Sequence, residues 1–270
     1  MKILVLFTCY NRCEKTLTCI NSLQKNTQIK FDFIVVDDNS QDDTCKELKK
    51  YNNITVLHGN GSLFYSGGMR MAIAEAKSRD LSEYSYVMFV NDDVEFFENS
   101  ISKLVEYLNG ENSIEIGSMC DSQGKLSYGG VKHVGSINPR YQTVMSKAER
   151  TYCDTFCANC VLLPKNIFVK LPNIDSHYKH AMGDFDYGWE ARRQGVKILA
   201  SNDFVGRCND NPKDDTWSDP ALSIKERLRK KETIKGLPRK EYFYFLKKNH
   251  GLLTAVIYSA TPYLKILLKK

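Results

Sequence analysis

The amino-acid sequence predicts an α/β protein with a mainly parallel, doubly wound sheet. In the first half of the chain, short apolar runs of strand length alternate with longer segments of helical character. Such alternation is typical of parallel sheets, because a crossover helix must carry the chain back before the next strand begins. With 270 residues, 42% of them hydrophobic and 26% charged, the chain can form one large or two small domains with a sizeable core.

The predicted elements follow in order along the chain. Four apolar runs are predicted to be strands: Ile3–Phe7, Phe31–Val36, Ile54–Leu57 and Tyr86–Val90. Four helices are predicted, from about Glu14 to Lys25, from a cap at Asp42 or Asp43 to Lys50, from about Met69 to Lys77, and from Ser100 to Leu108. Glycines between residues 59 and 68 allow the backbone to approach a ligand, and a helix that begins near Met69 would turn its N–H groups toward an anion. The glycine spacing matches neither the dinucleotide-binding motif nor the P-loop.

Three of the predicted strands end on polar clusters, which are Thr8-Cys-Tyr-Asn11, Asp37-Asp38-Asn39 and Asn91-Asp92-Asp93. In a parallel sheet these ends lie along one edge, which is where open α/β sheets bind ligands. Adjacent carboxylates raise each other's pKa unless a cation lies between them, and Mg²⁺ or Mn²⁺ binds carboxylates together with substrate phosphates. A single cluster of this kind is also typical of an ordinary turn. Three together predict a ligand site with a divalent metal.

These motifs, taken in order, resemble the inverting family 2 glycosyltransferases of the GT-A fold. The resemblance rests on Phe7-Thr-Cys-Tyr-Asn-Arg12, Val35-Val-Asp-Asp-Asn-Ser40 and Asn91-Asp-Asp93, and it runs from residue 1 to about 265. Two further segments, 59–68 and 180–187, resemble a bacterial branch that builds surface polysaccharides. The resemblance implies a Rossmann-like nucleotide-sugar-binding half over 1–110 and an acceptor-binding half with the catalytic base over 111–222. A basic, amphipathic segment of C-terminal helices is predicted over 223–270.

The resemblance also implies which residues bind a nucleotide diphosphate sugar, with UDP or dTDP as the nucleotide. Thr8, Tyr10 and Arg12 would line the nucleotide pocket, and Asp38 would contact the base or ribose. The residues that would approach the diphosphate or the sugar are Ser66, Gly67, Gly68 and Arg70, the last of which is otherwise a helix-surface charge.

The implied metal site lies at the third polar cluster. Asp93 would be the main ligand of Mn²⁺ or Mg²⁺, and Asp92 would lie near the ribose or the metal. Asn91 stands at the first position of the family's D-x-D motif, where a neutral amide lowers the charge of the ligand set.

The catalytic base is expected in Gly183-Asp-Phe-Asp-Tyr187, ahead of a predicted helix at Trp189–Gln194. The family carries Glu-Asp here, with the Asp as general base, so Asp184 matches the base and Gly183 replaces the Glu. Asp186 is the rival base, and simple helix capping is the alternative for both aspartates. His180 would either contact the acceptor or metal, or pack as an ordinary buried histidine.

The nine cysteines, without a recognisable secretory signal, predict reduced thiols in the cytoplasm. A zinc site at Cys153, Cys157 and Cys160 is disfavoured, because a fourth ligand is not evident and the last of them begins an apolar run.

The net charge of +6 is concentrated toward the C-terminus, which predicts contact with an anionic membrane surface or acidic ligand, and not with nucleic acid. Residues 251–270 are apolar with basic flanks, but Pro262 and Lys265 argue against a membrane span. The segment therefore either lies on the inner face of the cell membrane as an interfacial helix or packs on the domain.

The sequence thus predicts a metal-dependent, inverting, hexosyltransferase-type enzyme that acts on a glycan or lipid-linked acceptor. Two alternatives remain open. A sugar nucleotidyltransferase is disfavoured because the first predicted strand is not followed by a glycine-rich loop, and a non-catalytic binding module is favoured only by Asn91 and Gly183.

Overall fold

A mixed β-sheet forms the centre of the molecule in the computed structural model, which describes residues 1–108, 111–135, 139–209 and 213–268. The strands are β1 (Lys2–Cys9), β2 (Lys30–Asp37), β3 (Ile54–His58), β4 (Tyr86–Val90), β5 (Glu95–Phe96), β6 (Ser113–Cys120), β7 (Gly130–His133), β8 (Tyr141–Val144), β9 (Thr151–Tyr152), β10 (Thr155–Phe156), β11 (Cys160–Pro164) and β12 (Lys197–Arg207). The helices are α1 (Cys13–Gln24), α2 (Thr44–Leu48), α3 (Phe64–Ser78), α4 (Ser100–Tyr107), α5 (Lys165–Lys170), α6 (Gly183–Arg193), α7 (Ile224–Lys231), α8 (Arg239–His250), α9 (Leu252–Tyr258) and α10 (Thr261–Leu267). Residues 110 and 270, two of the predicted segment limits, lie outside the described residues.

The order of strands in the main sheet is β3-β2-β1-β4-β11-β6-β12-β5, with β9 paired beside β12. From β3 to β4 all pairs are parallel, whereas β11 is antiparallel to both β4 and β6. The predicted α/β class is confirmed, with a parallel first half and a mixed second half. In the parallel part, Cys9 is paired with Asp37 and Asp37 with His58, so the strand ends lie side by side at one edge.

Both faces of the sheet are buried, which explains why β1 reads as a continuous apolar run. Leu4 and Leu6 pack into a core with α3 and α6, while Val5 and Phe7 pack into a second core with α1 and α4. Because side chains alternate along a strand, one run supplies both cores.

Helix α3 begins five residues earlier than predicted, at Phe64 and not near Met69. The carboxylate of Asp38 accepts hydrogen bonds from the N–H groups of Leu63 and Phe64, which holds the first turn in place. The prediction of a helix start near Met69 is therefore wrong. Gly68 lies inside the helix, where a Cβ atom would be only 2.6 Å from Thr8 Cβ, so the missing side chain lets α3 pack against β1.

Helix α6 also begins earlier than predicted, at Gly183 and not at Trp189. Its N-cap residue is Met182, which has a positive φ of 67° and makes no side-chain capping hydrogen bond. Asp184 and Asp186 lie within the first helical turn. Neither aspartate is the N-cap, so capping does not account for them.

The C-terminal helices contact the domain through a third apolar cluster. Phe245 and Leu246 of α8 pack with Tyr178 and with Phe185 and Trp189 of α6. No helix in the described ranges is long and apolar enough to cross a membrane.

Candidate active site

The ends of β1 and β4 are joined by an arginine. Arg12, which follows β1, places its Nη1 atom 3.0 Å from Asp92 Oδ1 and 3.0 Å from Asp93 Oδ2, both of which follow β4. The Arg12 side chain is 43% exposed, so its charge also faces solvent at the sheet edge. The structure thus brings three of the predicted site residues into direct contact.

Asp92 is the buried member of this group. Burial raises its pKa to about 6, the Arg12 charge acts in the opposite direction, and the neighbouring Asp93 charge raises the pKa further. A second positive charge at this point would favour the ionised form. The protonation of Asp92 should therefore change when a metal ion binds beside it.

Oxygen ligands for a hard divalent ion are present at the end of β4. The Asp93 side chain is partly exposed, and Asn91 Oδ1 is buried without a hydrogen-bond partner among the described residues. The thiol of Cys208 lies 3.6 Å from Asp93 Oδ1, and burial raises the pKa of this thiol to about 12, so it remains protonated. The donor set is one of oxygens, as Mg²⁺ and Mn²⁺ prefer.

Asp38, predicted to contact the base or ribose, is only 5% exposed. Its Oδ1 atom accepts a hydrogen bond from Gly61 N, and its Oδ2 atom accepts the two bonds that begin α3. These three bonds shape the loop between β3 and α3. The structure gives Asp38 a positioning role, and its contact with the nucleotide remains a prediction.

Ser66, Gly67 and Gly68 are buried inside α3. The Ser66 hydroxyl donates to His180 O at 2.9 Å, and Ser66 N donates to Lys179 O at 3.1 Å. These bonds attach α3 to the segment that precedes α6. The approach of Ser66, Gly67 and Gly68 to the diphosphate or the sugar remains a prediction.

The same contact explains why Gly183 replaces the Glu expected at this position. A Cβ atom on Gly183 would overlap the Ser66 hydroxyl and lie 3.1 Å from both Ser66 Cβ and Ile174 Cγ2, so Ser66 would have to move. Arg70 supports the same region, because its Nη1 atom donates to Asp175 O at 3.1 Å and to Tyr178 O at 2.6 Å. Arg70 is thus neither a free surface charge nor an open cation.

Asp184 is partly buried and forms no ion pair with any Lys, Arg or His of the described residues. Its Oδ1 atom accepts from Phe185 N at 2.8 Å, and its Oδ2 atom accepts from Ala158 N at 3.3 Å. Burial raises the pKa of Asp184 to about 6, against the effect of these hydrogen bonds. A carboxylate with this pKa is able to accept a proton near neutral pH.

Asp186, the rival base, has a different environment. Its Oδ2 atom lies 2.7 Å from Lys248 Nζ and its Oδ1 atom 3.0 Å from Asn249 Nδ2, both on α8. Lys248 also binds Asp175 at 2.8 Å. The charge of Asp186 is thus neutralised by a structural ion pair.

The strand register brings Asp184 to the end of β4. Cys160 on β11 pairs with Val90, so Ala158, which binds Asp184, lies next to the turn that follows Val90. Two side-chain contacts connect β11 with the end of β4. Asn159 Nδ2 donates to Cys208 Sγ at 3.4 Å, and Cys208 contacts Asp93. The candidate base and the candidate metal ligand therefore lie near the same end of β4.

Two further side chains, Tyr65 and His180, have buried polar atoms near these residues. The hydroxyl of Tyr65 is buried without a hydrogen-bond partner among the described residues, and burial and the Asp184 charge raise its pKa. His180 Nδ1 is likewise unpartnered within the described chain, and burial, Lys235 and Arg12 lower the pKa of His180. The spacing of His180 before Asp184 was a sequence signal, and Tyr65 lies in the segment 59–68 that carries the resemblance, whereas no pattern indicated Lys235.

Comparison with known proteins supports this architecture. The family model described as glycosyl transferase family 2 matches residues 4–171. No curated protein matches the chain. Among solved structures, S. aureus TarS is similar, with a TM-score of 0.58 at 16% identity over 97% of this chain and 44% of that one. This chain thus spans less than half of the TarS chain.

Two complexes are also similar. A mannosyltransferase from Pyrobaculum calidifontis, solved with GDP-Man and Mn²⁺, has a TM-score of 0.58 at 9% identity over 99% of this chain and 73% of that one. S. aureus TarS 1-349 with UDP-GlcNAc has a TM-score of 0.56 at 16% identity over 100% of this chain and 72% of that one. At these identities the likeness shows the fold alone, and that fold is the predicted GT-A architecture with additional C-terminal helices.

Proposed function

The chain belongs to glycosyl transferase family 2, and from this premise we propose that it is an inverting, metal-dependent hexosyltransferase. It takes the sugar from a nucleotide diphosphate donor, UDP- or dTDP-linked, and transfers it to a hydroxyl of a growing, lipid-linked surface glycan. The observation that carries the proposal is the Asp184 carboxylate, unpaired with any described cation and next to the strand end that holds Asp92 and Asp93.

Asp184 acts as the general base in the proposed reaction. The acceptor hydroxyl oxygen attacks the anomeric carbon from the face opposite the diphosphate, and its proton passes to an Asp184 oxygen. A bond forms between the acceptor oxygen and the sugar, the bond to the diphosphate breaks, and the nucleoside diphosphate leaves. A positioned base of this kind contributes about 10²–10⁴-fold to the rate.

The donor diphosphate would lie at the ends of β1 and β4. Asp93 fits a ligand of Mn²⁺ or Mg²⁺, and when bound this ion would neutralise charge on the leaving diphosphate. Arg12 holds Asp92 and Asp93 together before the donor arrives and supplies a further positive charge. The similar mannosyltransferase complex, which contains GDP-Man and Mn²⁺, supports a metal-assisted donor site.

Nucleotide binding gives the direct test. UDP, dTDP and GDP would be titrated with and without Mn²⁺ while the unfolding temperature is recorded, since a ligand at a hundredfold excess over its Kd adds about 2.7 kcal/mol. We expect stabilisation by UDP or dTDP that depends on Mn²⁺ and is lost in Asp93→Asn. Nucleotide binding without any sugar transfer would favour the non-catalytic module, and no binding at all would contradict the donor site.

We propose that the enzyme works on the inner face of the cell membrane, held there by α9 and α10. Large apolar side chains on these two helices, and on the residue that follows α10, are exposed to solvent: Leu252, Leu253, Val256, Ile257, Leu264, Leu267 and Leu268. Lys265 of α10 and Lys247 near the end of α8 are exposed as well. Apolar side chains with flanking lysines suit an anionic lipid surface.

Vesicle flotation tests the membrane contact. The wild-type chain should float with vesicles that contain anionic lipid and less with neutral ones. The double variant Leu253→Gln and Val256→Gln should stay in the soluble fraction. Val169→Gln on α5 is the matched control, because Val169 is also 56% exposed but lies elsewhere. Equal flotation of the double variant and the wild type would exclude α9 as the docking element.

A further inference from the structure

A second group of metal-binding side chains lies at the same sheet edge, apart from Asp93. It consists of Asp37 at the end of β2, Cys45 in α2 and His58 at the end of β3. One carboxylate oxygen, the thiol sulfur and one imidazole nitrogen all lie within 4.8 Å of one another. No partner of His58 is evident from the sequence, and the fold brings Asp37 and Cys45 close to it.

The arrangement follows from the backbone. Asp37 and His58 are paired residues of the parallel strands β2 and β3, and Gly59 N donates to Asp37 O at 2.8 Å. Paired residues on neighbouring strands point to the same face of a sheet. Helix α2 packs against β3 and brings Cys45 to that face.

Asp37 is fixed and buried within this group. It is 2% exposed, and its Oδ1 atom accepts a hydrogen bond from Ser40 N at 3.1 Å. Across residues 1–108, 111–135, 139–209 and 213–268, no Lys or Arg forms an ion pair with it. A buried carboxylate without a cation is costly, and a hydrogen bond from a neighbouring group is a common way to orient a metal ligand.

We propose that Asp37, Cys45 and His58 bind one Zn²⁺ ion, with the fourth position left to water or to a ligand. Thiolate, imidazole and carboxylate are the usual protein ligands of Zn²⁺, and a thiolate disfavours Mg²⁺. With bond lengths of about 2.0–2.3 Å, tetrahedral ligand atoms lie about 3.4–3.7 Å apart. The partly exposed Cys45 and the exposed His58 can close the remaining gap by side-chain rotation.

The ion would join α2 to the ends of β2 and β3. Asp38, the next residue after Asp37, accepts hydrogen bonds from the loop between β3 and α3. A Zn²⁺ ion bound to Asp37 would therefore make the backbone beside the proposed donor site more rigid. This site is separate from the oxygen ligands at Asp93. The inference stands whether or not the proposed transferase activity does.

Cobalt provides a spectroscopic probe for the site. Co²⁺ would be titrated into the reduced chain, free of any histidine tag, and the thiolate-to-Co²⁺ charge-transfer band would be recorded. We expect a band that saturates at one Co²⁺ per chain and disappears when Zn²⁺ is added, because Zn²⁺ displaces the cobalt. Cys45→Ser should remove the band. His58→Gln should weaken Co²⁺ binding by at least about tenfold, because loss of a ligand should cost no less than loss of a group that orients one.

Two variants serve as controls. Cys13→Ser changes another partly exposed thiol that is outside the group, and Asp93→Asn changes the proposed donor metal site. Both should keep the band. Absence of a thiolate band in the wild type, its persistence in Cys45→Ser, or its loss in Cys13→Ser would overturn the proposal. His58 is exposed, so His58→Gln should fold. If Cys45→Ser does not fold, unchanged Co²⁺ binding by His58→Gln would still contradict the proposal.

Discussion

The two aspartates at the start of α6 should respond oppositely when each is changed to asparagine. Asp184 carries a partly buried charge without a cation among the described residues, whereas Asp186 carries a buried charge paired with Lys248. Asp184→Asn should therefore stabilise the fold and slow transfer by orders of magnitude. Asp186→Asn should destabilise the fold and leave transfer within the same order of magnitude.

The magnitudes follow from the contacts. Burial raises the pKa of Asp184 from its usual 3.8 to about 6, which corresponds to about 3 kcal/mol of lost stability. Asparagine keeps one acceptor oxygen and loses the other, at about 1 kcal/mol, so the net gain is about 1–2 kcal/mol. For Asp186→Asn the loss is about 1.5–3 kcal/mol, the range for a hydrogen bond to a charged group, because Lys248 keeps its contact with Asp175.

The difference in stability between Asp184→Asn and the wild type should depend on pH. The folded-state pKa of Asp184 is raised, so the unfolded chain ionises first and the wild type loses stability as pH rises from about 4 to 6. The advantage of Asp184→Asn should be absent below about pH 4 and complete above about pH 6. The transfer rate of the wild type should rise over the upper part of the same range, because the base must be ionised.

Urea unfolding at several pH values and release of nucleoside diphosphate measure the two effects. We expect the rate of Asp184→Asn to fall about 10²–10⁴-fold. The assignment fails if Asp184→Asn keeps its rate, or if Asp186→Asn loses as much. The pKa argument fails if Asp184→Asn is less stable than the wild type at pH 8.

Three other outcomes are expected. Arg12→Ala removes the cation beside Asp92, so the pKa of Asp92 should rise above about 6 and UDP affinity should fall about tenfold, or ~1.4 kcal/mol, by calorimetry; unchanged affinity would contradict the proposed pocket. Gly68→Ala places a methyl group 2.6 Å from Thr8 Cβ and should lower the free energy of urea unfolding by about 1–3 kcal/mol. An unchanged free energy would mean that α3 can shift away from β1 without cost. Burial lowers the pKa of His250 to about 4, so the free energy of unfolding should fall as pH drops from about 6.5 to 4. In urea unfolding at several pH values, His250→Phe should make the free energy of unfolding less dependent on pH over this range.

The strands and their polar ends could be predicted from the sequence, because an apolar run of strand length that stops at Asp or Asn is a local signal. The start of α3 could not, since it depends on hydrogen bonds from Asp38, 25 residues before Leu63. The antiparallel insertion of β11 was equally hidden, because it depends on Cys160 meeting Val90.

The candidate site shows the same division. The resemblance indicated Asp184, but only the fold shows that Asp186 is paired with Lys248, which lies 62 residues away. Gly183 was a departure from the family pattern, and its contact with Ser66 gives the steric reason. Packing between distant segments decides these points, and one sequence does not display it.

Lys248 has a consequence for the choice of acceptor. It fixes α8 to α6 through Asp186, and α8 continues through Gly251 into α9. If α9 rests on a bilayer as we propose, Asp184 is held at a set height above the lipid headgroups. A lipid-linked glycan would then reach the base only when its length matches that height. The enzyme would select acceptors by the number of sugars already added, as well as by the sugar at the end.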